Sequence, residues 1–168
     1  MENGSMTTKG WNPKPGTIPA LSLWQPWASL VALGHKHFET RSWATSYRGP
    51  IAIHAAQRRP SFEGLSIGVQ RHIAGLFESE GITALETLPL GSVLCIANLI
   101  EVYPTIANPK ISKELPPTVK KRIVLEWNLG DFSPMRYAWH LEVTQVFETP
   151  IAARGRQSLW EFPFKMAA

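Results

Sequence analysis

Ten residues, GHKHFETRSW (34–43), combine two histidines, a lysine, an arginine, a carboxylate and an indole in a chain with 18% charged residues. Cations hold phosphates, an indole stacks on nucleobases, and a carboxylate accepts hydrogen bonds or takes a proton from water. The alternative is a solvated strand edge, in which Glu39 and Arg41 form an ion pair worth about 0–1 kcal/mol. The residue types alone leave both interpretations open.

Further aromatic and cationic residues lie near this segment. Trp24 and Trp27 precede it, and Tyr47 and Arg48 follow it. Single-stranded nucleic-acid sites use this mixture of stacking faces and phosphate-binding cations. The two tryptophans, three residues apart, are also able to share a helix face and fill a core. We favour the core for Trp27 and leave Trp24 and Trp43 open between the two roles.

The segment is predicted to join a helix to a strand. Pro26 and Gly34 are typical of a helix start and end, because proline lacks only a dispensable N–H and glycine adopts the left-handed closing conformation. Period-two alternation in HFETRSWA then predicts a strand, with Phe38 and Thr40 on one face. Its chemically active face carries His37, Glu39, Arg41 and Trp43.

The rest of the chain predicts an α+β fold. YRGPIAIHAA predicts a second strand, and residues 63–79 predict an amphipathic helix. GSVLCIANLIEVYP is apolar at both parities, as in a strand covered on both faces, and RYAWHLEVTQVFE alternates. The Pro-rich and Lys-rich stretch between them predicts an exposed, partly helical insertion. We predict a mixed β-barrel, closed or nearly closed, with helices packed at its rim.

Composition bounds the function. The net charge of +4 and pI of about 9.4 favour a polyanionic partner. There is no GxGxxG or GxxxxGK[ST] motif, and the five histidines lack ligand spacing, so we expect no cofactor and no metal. Cys95, the lone cysteine, predicts a buried inert thiol and a reducing, cytoplasmic setting. The apolar runs are shorter than the roughly 20 residues of a membrane-spanning helix, so we expect no membrane association.

Two regions are predicted. Residues 1–16 form an arm that is disordered or left over from an expression vector, because MENGSMTTKG lacks a signal-peptide core and has an internal Met6 after Gly-Ser. Residues 17–168 form a single domain, since nothing in the composition divides them.

Several motifs in order resemble the ASCH family of PUA-like domains. QPWA precedes the segment, YRGPIAIHAA follows it, and SPMRYAWHLE and ARGRQSLWEF come later. The resemblance covers Pro19 to Phe164 and implies a small PUA-like β-barrel whose helix-to-strand motif lines a cleft. It also implies a superfamily associated mostly with RNA binding and modification. The family pattern GxKxxExR is met by Gly34, Lys36, Glu39 and Arg41.

The leading hypothesis is a module that binds single-stranded RNA or a nucleotide, with DNA also possible. We expect cations to contact phosphate or ribose, aromatic rings to stack bases, and a carboxylate to accept from an amine or a 2′-OH. The basic turn ARGRQ supplies a second phosphate contact if the fold brings it beside the motif. The predicted binding residues are Trp24, Lys36, Glu39, Arg41, Trp43, Tyr47, Arg48, Arg154 and Arg156.

The alternative hypothesis is a metal-independent hydrolase acting on RNA or on a modified nucleoside. The ASCH-like amidohydrolase that deacetylates N4-acetylcytidine has a catalytic lysine three residues before a threonine nucleophile. Lys36 matches that lysine, but Glu39 replaces the threonine, and Thr40 points to the opposite face. In this hypothesis Glu39 is the base and Lys36 an acid or electrostatic stabiliser. A third class, a module of a larger transcription or RNA-processing complex, stays open, as does whether the protein is an enzyme.

Overall fold

The computed structural model describes residues 11–105 and 115–164. Within them, the strands are Thr17–Leu23 (β1), Phe38–Arg41 (β2), Gly49–Ala55 (β3), Ser92–Pro104 (β4), Tyr137–Ala152 (β5) and Leu159–Pro163 (β6). The α-helices are Trp27–Ala32 (α1), Ile67–Ser79 (α2) and Pro117–Leu125 (α3). Residues 1–10 of the predicted arm lie outside the described residues.

The strands form one open mixed sheet in the order β2-β5-β4-β3-β1-β6. β1 and β3 are parallel, and the other neighbouring pairs are antiparallel. The α+β prediction is confirmed, but the predicted closed or nearly closed barrel is wrong, because β2 and β6 end the sheet without pairing to each other.

The free side of β2 shows why the sheet stays open. A loop, and not a strand, packs against it: the backbone N–H of Asp131 donates to Thr40 Oγ1 at 2.9 Å. Arg136 Nη2 donates to the Thr40 carbonyl at 3.2 Å, so a side chain satisfies an acceptor that a closing strand would need. With four residues, β2 is also short for an edge that must accept a second strand.

Both faces of the sheet are covered by packed side chains. Ile51 and Ile53 of β3 lie in one core cluster with Trp139, while Ala52 lies in the other with Trp160. The predicted alternation of β3 and the two-sided burial of β4 are therefore observed.

Helix α1 has six residues, begins directly after Pro26 and is supported at its start by the Gln25 side chain. Gln25 Oε1 accepts from the Ser29 backbone N–H at 3.1 Å, and its Nε2 donates to Pro89 O at 2.8 Å. Gly34 adopts φ +77° just after the helix, as its predicted closing role requires. This turn sets the direction of the chain into β2.

The predicted insertion is helical in its described half, while residues 106–114 lie outside the described residues. The inner face of α3 is not exposed: Val119 and Ile123 pack with Phe38 of β2 and Ala138 of β5. The helix therefore covers the part of the sheet that carries the motif.

None of the described helices has the length and apolar character needed to cross a membrane. Cys95 is fully buried, and burial raises the pKa of its thiol to about 12, which makes it the inert thiol that its apolar setting predicts.

Candidate functional site

Lys36 forms the floor of a cleft between α1 and β2 and is only 2% exposed. Its Nζ donates to the carbonyl oxygens of Phe38 and, at 2.5 Å, of Leu129. The same Nζ lies 3.5 Å from Glu39 Oε2 and 5.7 Å from the ring centroid of Trp27. Two carbonyls and one carboxylate thus surround the three donors of an ammonium group.

The charge at this floor is shared by three side chains of the motif. Glu39 lies between two cations, with Oε1 3.6 Å from Arg41 Nη1. Burial lowers the pKa of Lys36, and the carboxylates of Glu39 and Glu126 oppose that shift. Glu39 thus pairs with both cations of the motif.

Glu126 holds the start of β2 in place and was not predicted from the sequence. Its Oε2 accepts from the backbone N–H groups of His37 at 2.7 Å and Phe38 at 3.1 Å. Its Oε1 lies 2.8 Å from His37 Nδ1. A separation of 88 residues between Glu126 and Phe38 leaves no local pattern that could have identified this contact.

We call the space above this floor the lysine cleft; it measures about 390 Å³. Its far wall comes from the loop after α3, where Arg136 Nε lies 3.2 Å from Asp131 Oδ2. Hydrogen bonds from Ser133, together with the positive charge of the nearby Arg136, hold the pKa of Asp131 below its usual value. The other polar or aromatic lining residues are Ser22, Trp24, Trp27, Thr40, Arg41 and Asn128.

A second space, the arginine cleft, adjoins the lysine cleft and measures about 1100 Å³. It contains Trp43 and both arginines of the turn after β5, Arg154 and Arg156. The two clefts share Ser22, Trp24 and Arg41. The structure therefore brings the basic C-terminal turn beside the motif.

His54 lies in the wall of the arginine cleft and is fully satisfied. Its Nε2 donates to the Ala153 carbonyl at 3.0 Å, and its Nδ1 accepts from Ser22 Oγ at 3.1 Å. Ser22 Oγ in turn accepts from Trp160 Nε1 at 3.1 Å. Burial lowers the pKa of His54, so the neutral ring is favoured. His54 therefore acts as a structural support.

Gly155 packs directly on this network, and we predict that Gly155→Ala destabilises the protein. An added Cβ would lie 2.4 Å from His54 Cε1 and 2.8 Å from Ser22 Oγ. We expect a loss of about 1–3 kcal/mol, measured by urea unfolding. The control is Gly75→Ala in α2, where a Cβ meets nothing within 4 Å and the helix gains about 0.5–1 kcal/mol. Equal stability of the two variants would contradict the packing described for Gly155.

The predicted tryptophans differ in exposure. Trp24 is 56% exposed, and the guanidinium of Arg58 lies 4.0 Å from its ring centroid. Trp43 is half-buried, and its ring meets that of Trp139 edge-on at 4.7 Å. Arg41 lies 6.0 Å from the Trp43 ring. Trp24 thus offers a free ring surface, whereas Trp43 is partly committed to the core.

Tyr47 and Arg48 lie outside the linings of both clefts. The Tyr47 hydroxyl donates to the Pro50 carbonyl at 2.6 Å, and burial raises its pKa. Arg48 pairs with Glu101 of β4 and donates to the Thr45 carbonyl at 2.9 Å. The chain turns away after β2, so these side chains support the start of β3.

Sequence reasoning missed cleft residues that lie far from the motif along the chain. For Arg58, whose guanidinium lies over the Trp24 ring, a signal was available, since two adjacent arginines follow a buried strand in HAAQRRP. The loop residues Asn128, Asp131 and Arg136 carry no comparable signal. Within the described ranges, no group of three or more His, Cys, Asp or Glu residues could hold a metal ion.

An open mixed sheet with a helix-to-strand motif over a buried lysine defines an α+β domain, and the ASCH family that its sequence matches is PUA-like. The ASCH domain family model matches residues 21–150, and the chain belongs to this family. The resemblance expected from the motifs is thereby confirmed. ASCH domains generally bind RNA.

Two relatives share a short segment with this chain. Activating signal cointegrator 1 from Mus musculus is 50% identical over 46 residues, and the protein of that name from Homo sapiens is 48% identical over 46 residues. The segment covers 27% of this chain and 8% of each relative. The similarity therefore concerns one part of much longer proteins.

Proposed function

We propose that this ASCH domain binds single-stranded RNA and holds one nucleotide in the lysine cleft. The observation that carries the proposal is Arg41, which lines both clefts. The Arg41 side chain is 26% exposed, and its Nη1 lies 3.6 Å from Glu39 Oε1. The outer N–H groups of its guanidinium are able to donate to a phosphate oxygen, and such charge-assisted hydrogen bonds are strong.

Lys36 and Glu39 have different roles in this proposal. The protein itself surrounds Lys36 Nζ with acceptors, so Lys36 attracts the ligand through its charge and orients Glu39. Glu39 lines the cleft and accepts a hydrogen bond from an exocyclic amine or a ribose 2′-OH. A contact to the 2′-OH would favour RNA over DNA.

The aromatic and basic groups around the lysine cleft hold the flanking parts of the ligand. Trp24 stacks on a base, and Trp43 forms part of the wall of the arginine cleft. Arg154 and Arg156 are exposed and lie where a neighbouring phosphate would pass. Tyr47 and Arg48 have no binding role here, because their polar groups are engaged at the start of β3.

A hydrolase is the second candidate, because a buried lysine and a carboxylate lie 3.5 Å apart at the floor of a cleft. A volume of about 390 Å³ is within the range of small-molecule sites. Burial lowers the pKa of Lys36, which is the direction a general acid requires. Glu39 would then act as the base on water or on a 2′-OH.

The free thiol of Cys95, the one cysteine of the sequence, leads us to propose the cytoplasm as the compartment.

The first test is a binding assay with end-labelled single-stranded RNA in EDTA, with each sample divided between a native and a denaturing gel. We expect intact RNA that is shifted by the protein. Arg41→Ala should weaken the shift roughly tenfold, because a cation and its hydrogen-bond donors to phosphate are lost. The matched control is Arg71→Ala, which removes the same charge from an exposed position of α2 outside the clefts.

Each result of this assay has a definite meaning. Equal affinities for the Arg41 and Arg71 variants would contradict the placement of the ligand. Shortened RNA in the parent sample, absent with Glu39→Gln, would support the hydrolase in place of the binding module. Thermal melting of each variant shows whether a weak shift comes from unfolding.

A further inference from the structure

A third cleft lies on the other side of Trp24 and has no part in the function proposed above. It measures about 410 Å³. We call it the outer cleft; Arg58 and Arg59 line it together with Trp27 and Glu63. Trp24 and Trp27 belong both to this cleft and to the lysine cleft.

The three clefts meet at Trp24, which lines all of them. Arg41 also joins the lysine cleft to the arginine cleft, and Trp27 joins it to the outer cleft. The outer cleft and the arginine cleft are lined by consecutive residues, Arg58 in the first and Gln57 in the second. The Trp24 ring stays 56% exposed although Arg58 covers part of it at 4.0 Å. Such a ring is held by a cation and keeps surface for a base.

The outer cleft and the arginine cleft are basic, and the charge of their arginines is not neutralised. Arg58, Arg59, Arg154 and Arg156 are exposed, and in the described part of the chain none of them pairs with a carboxylate. Carboxylates are also scarce there: Glu63 lines the outer cleft, and neither Asp nor Glu lines the arginine cleft. Two unpaired arginines in each of two clefts that share an exposed indole match the repeating charge of a polynucleotide backbone.

We propose that one continuous strand crosses all three clefts and passes over Trp24, with its phosphates on Arg154 and Arg156 at one end and on Arg58 and Arg59 at the other. This inference rests on the proposed function and specifies its ligand. The ligand is an oligonucleotide of at least about three nucleotides, one for each cleft, and not a free nucleotide or nucleoside.

The test is fluorescence anisotropy with labelled oligouridylates of increasing length, at several salt concentrations. Three double variants are compared with the parent: Arg58→Ala with Arg59→Ala, Arg154→Ala with Arg156→Ala, and the control Arg71→Ala with Lys121→Ala. The control removes the same charge from exposed positions that line none of the three clefts.

We expect affinity to rise steeply with length up to a plateau, and each cleft variant to bind the long oligomer roughly tenfold more weakly than the control. Each should also make the slope of log affinity against log salt shallower by about 1.4, which corresponds to two phosphate contacts on a single strand. For the shortest oligomers, the salt slope of each cleft variant should differ from that of the control by no more than about 0.7, the value for one phosphate contact.

Two results would overturn the inference in different ways. If the parent binds and the Arg58 and Arg59 variant matches the control in affinity and salt slope, the strand does not cross Trp24, and the proposed function stands alone. If the parent binds no oligomer of any length, the proposed function and this inference both fail.

Discussion

Trp24→Ala should reduce affinity for single-stranded RNA roughly 5- to 150-fold, the range that corresponds to about 1–3 kcal/mol of base stacking. The ring lines all three clefts and is 56% exposed, so its loss removes stacking surface without opening a core. We therefore expect the free energy of unfolding to change by no more than about 0.5 kcal/mol. Anisotropy measures the first quantity and urea unfolding the second.

Two further variants separate stacking from a general loss of aromatic surface. Trp24→Phe keeps a π face and should recover most of the affinity. Trp127→Ala removes an indole of similar exposure, 41%, that stacks on Phe132 and lines none of the clefts. It should bind RNA like the parent. If Trp24→Ala binds as well as Trp127→Ala, Trp24 is not a stacking platform.

Lys36→Met should be the most destabilising of the proposed substitutions, by about 3–5 kcal/mol. It removes the cation from beside the buried Glu39 carboxylate and leaves the Phe38 and Leu129 carbonyls without their donor. Lys36→Met combined with Glu39→Gln should be more stable than the sum of the single changes predicts, by about 0.5–3 kcal/mol, because the unpaired charge is gone. Urea unfolding of the four proteins gives this coupling.

The pH dependence gives an independent measurement on Lys36. Burial lowers its pKa in the folded protein, so between that value and 10.5 the unfolded chain binds more protons than the folded one. The stability of the parent should therefore rise relative to Lys36→Met as the pH increases toward 10.5, and fall again as the pH decreases. A pH-independent difference, or strictly additive energies in the cycle, would contradict the buried pair.

Local patterns predicted the elements that carry the motif, because those elements depend on near neighbours. Gly34 closes α1 with a positive φ, as its position after an apolar helix indicated. Alternation placed Phe38 in the core and Glu39 toward the cleft. The burial of Lys36 could not be predicted, because one of the carbonyl oxygens that accept from its Nζ belongs to Leu129, 93 residues away.

The barrel and part of the site depended on contacts that no local pattern reports. Whether the sheet closes is decided at Thr40, whose acceptors are used by the loop at Asp131 and by Arg136. Closeness in sequence groups Tyr47 and Arg48 with the motif, whereas the turn after β2 places both outside the lysine and arginine clefts.

The contact between Lys36 and Leu129 also concerns synthesis of the chain. The two residues are 93 positions apart, so on the ribosome the lysine emerges long before its carbonyl partner and remains hydrated until that partner is made. Contacts of such separation form late, because a long loop must close first. A polypeptide that terminates before residue 126 lacks both Glu126 and Leu129. Premature termination therefore gives a product with the whole GxKxxExR motif and no assembled cleft.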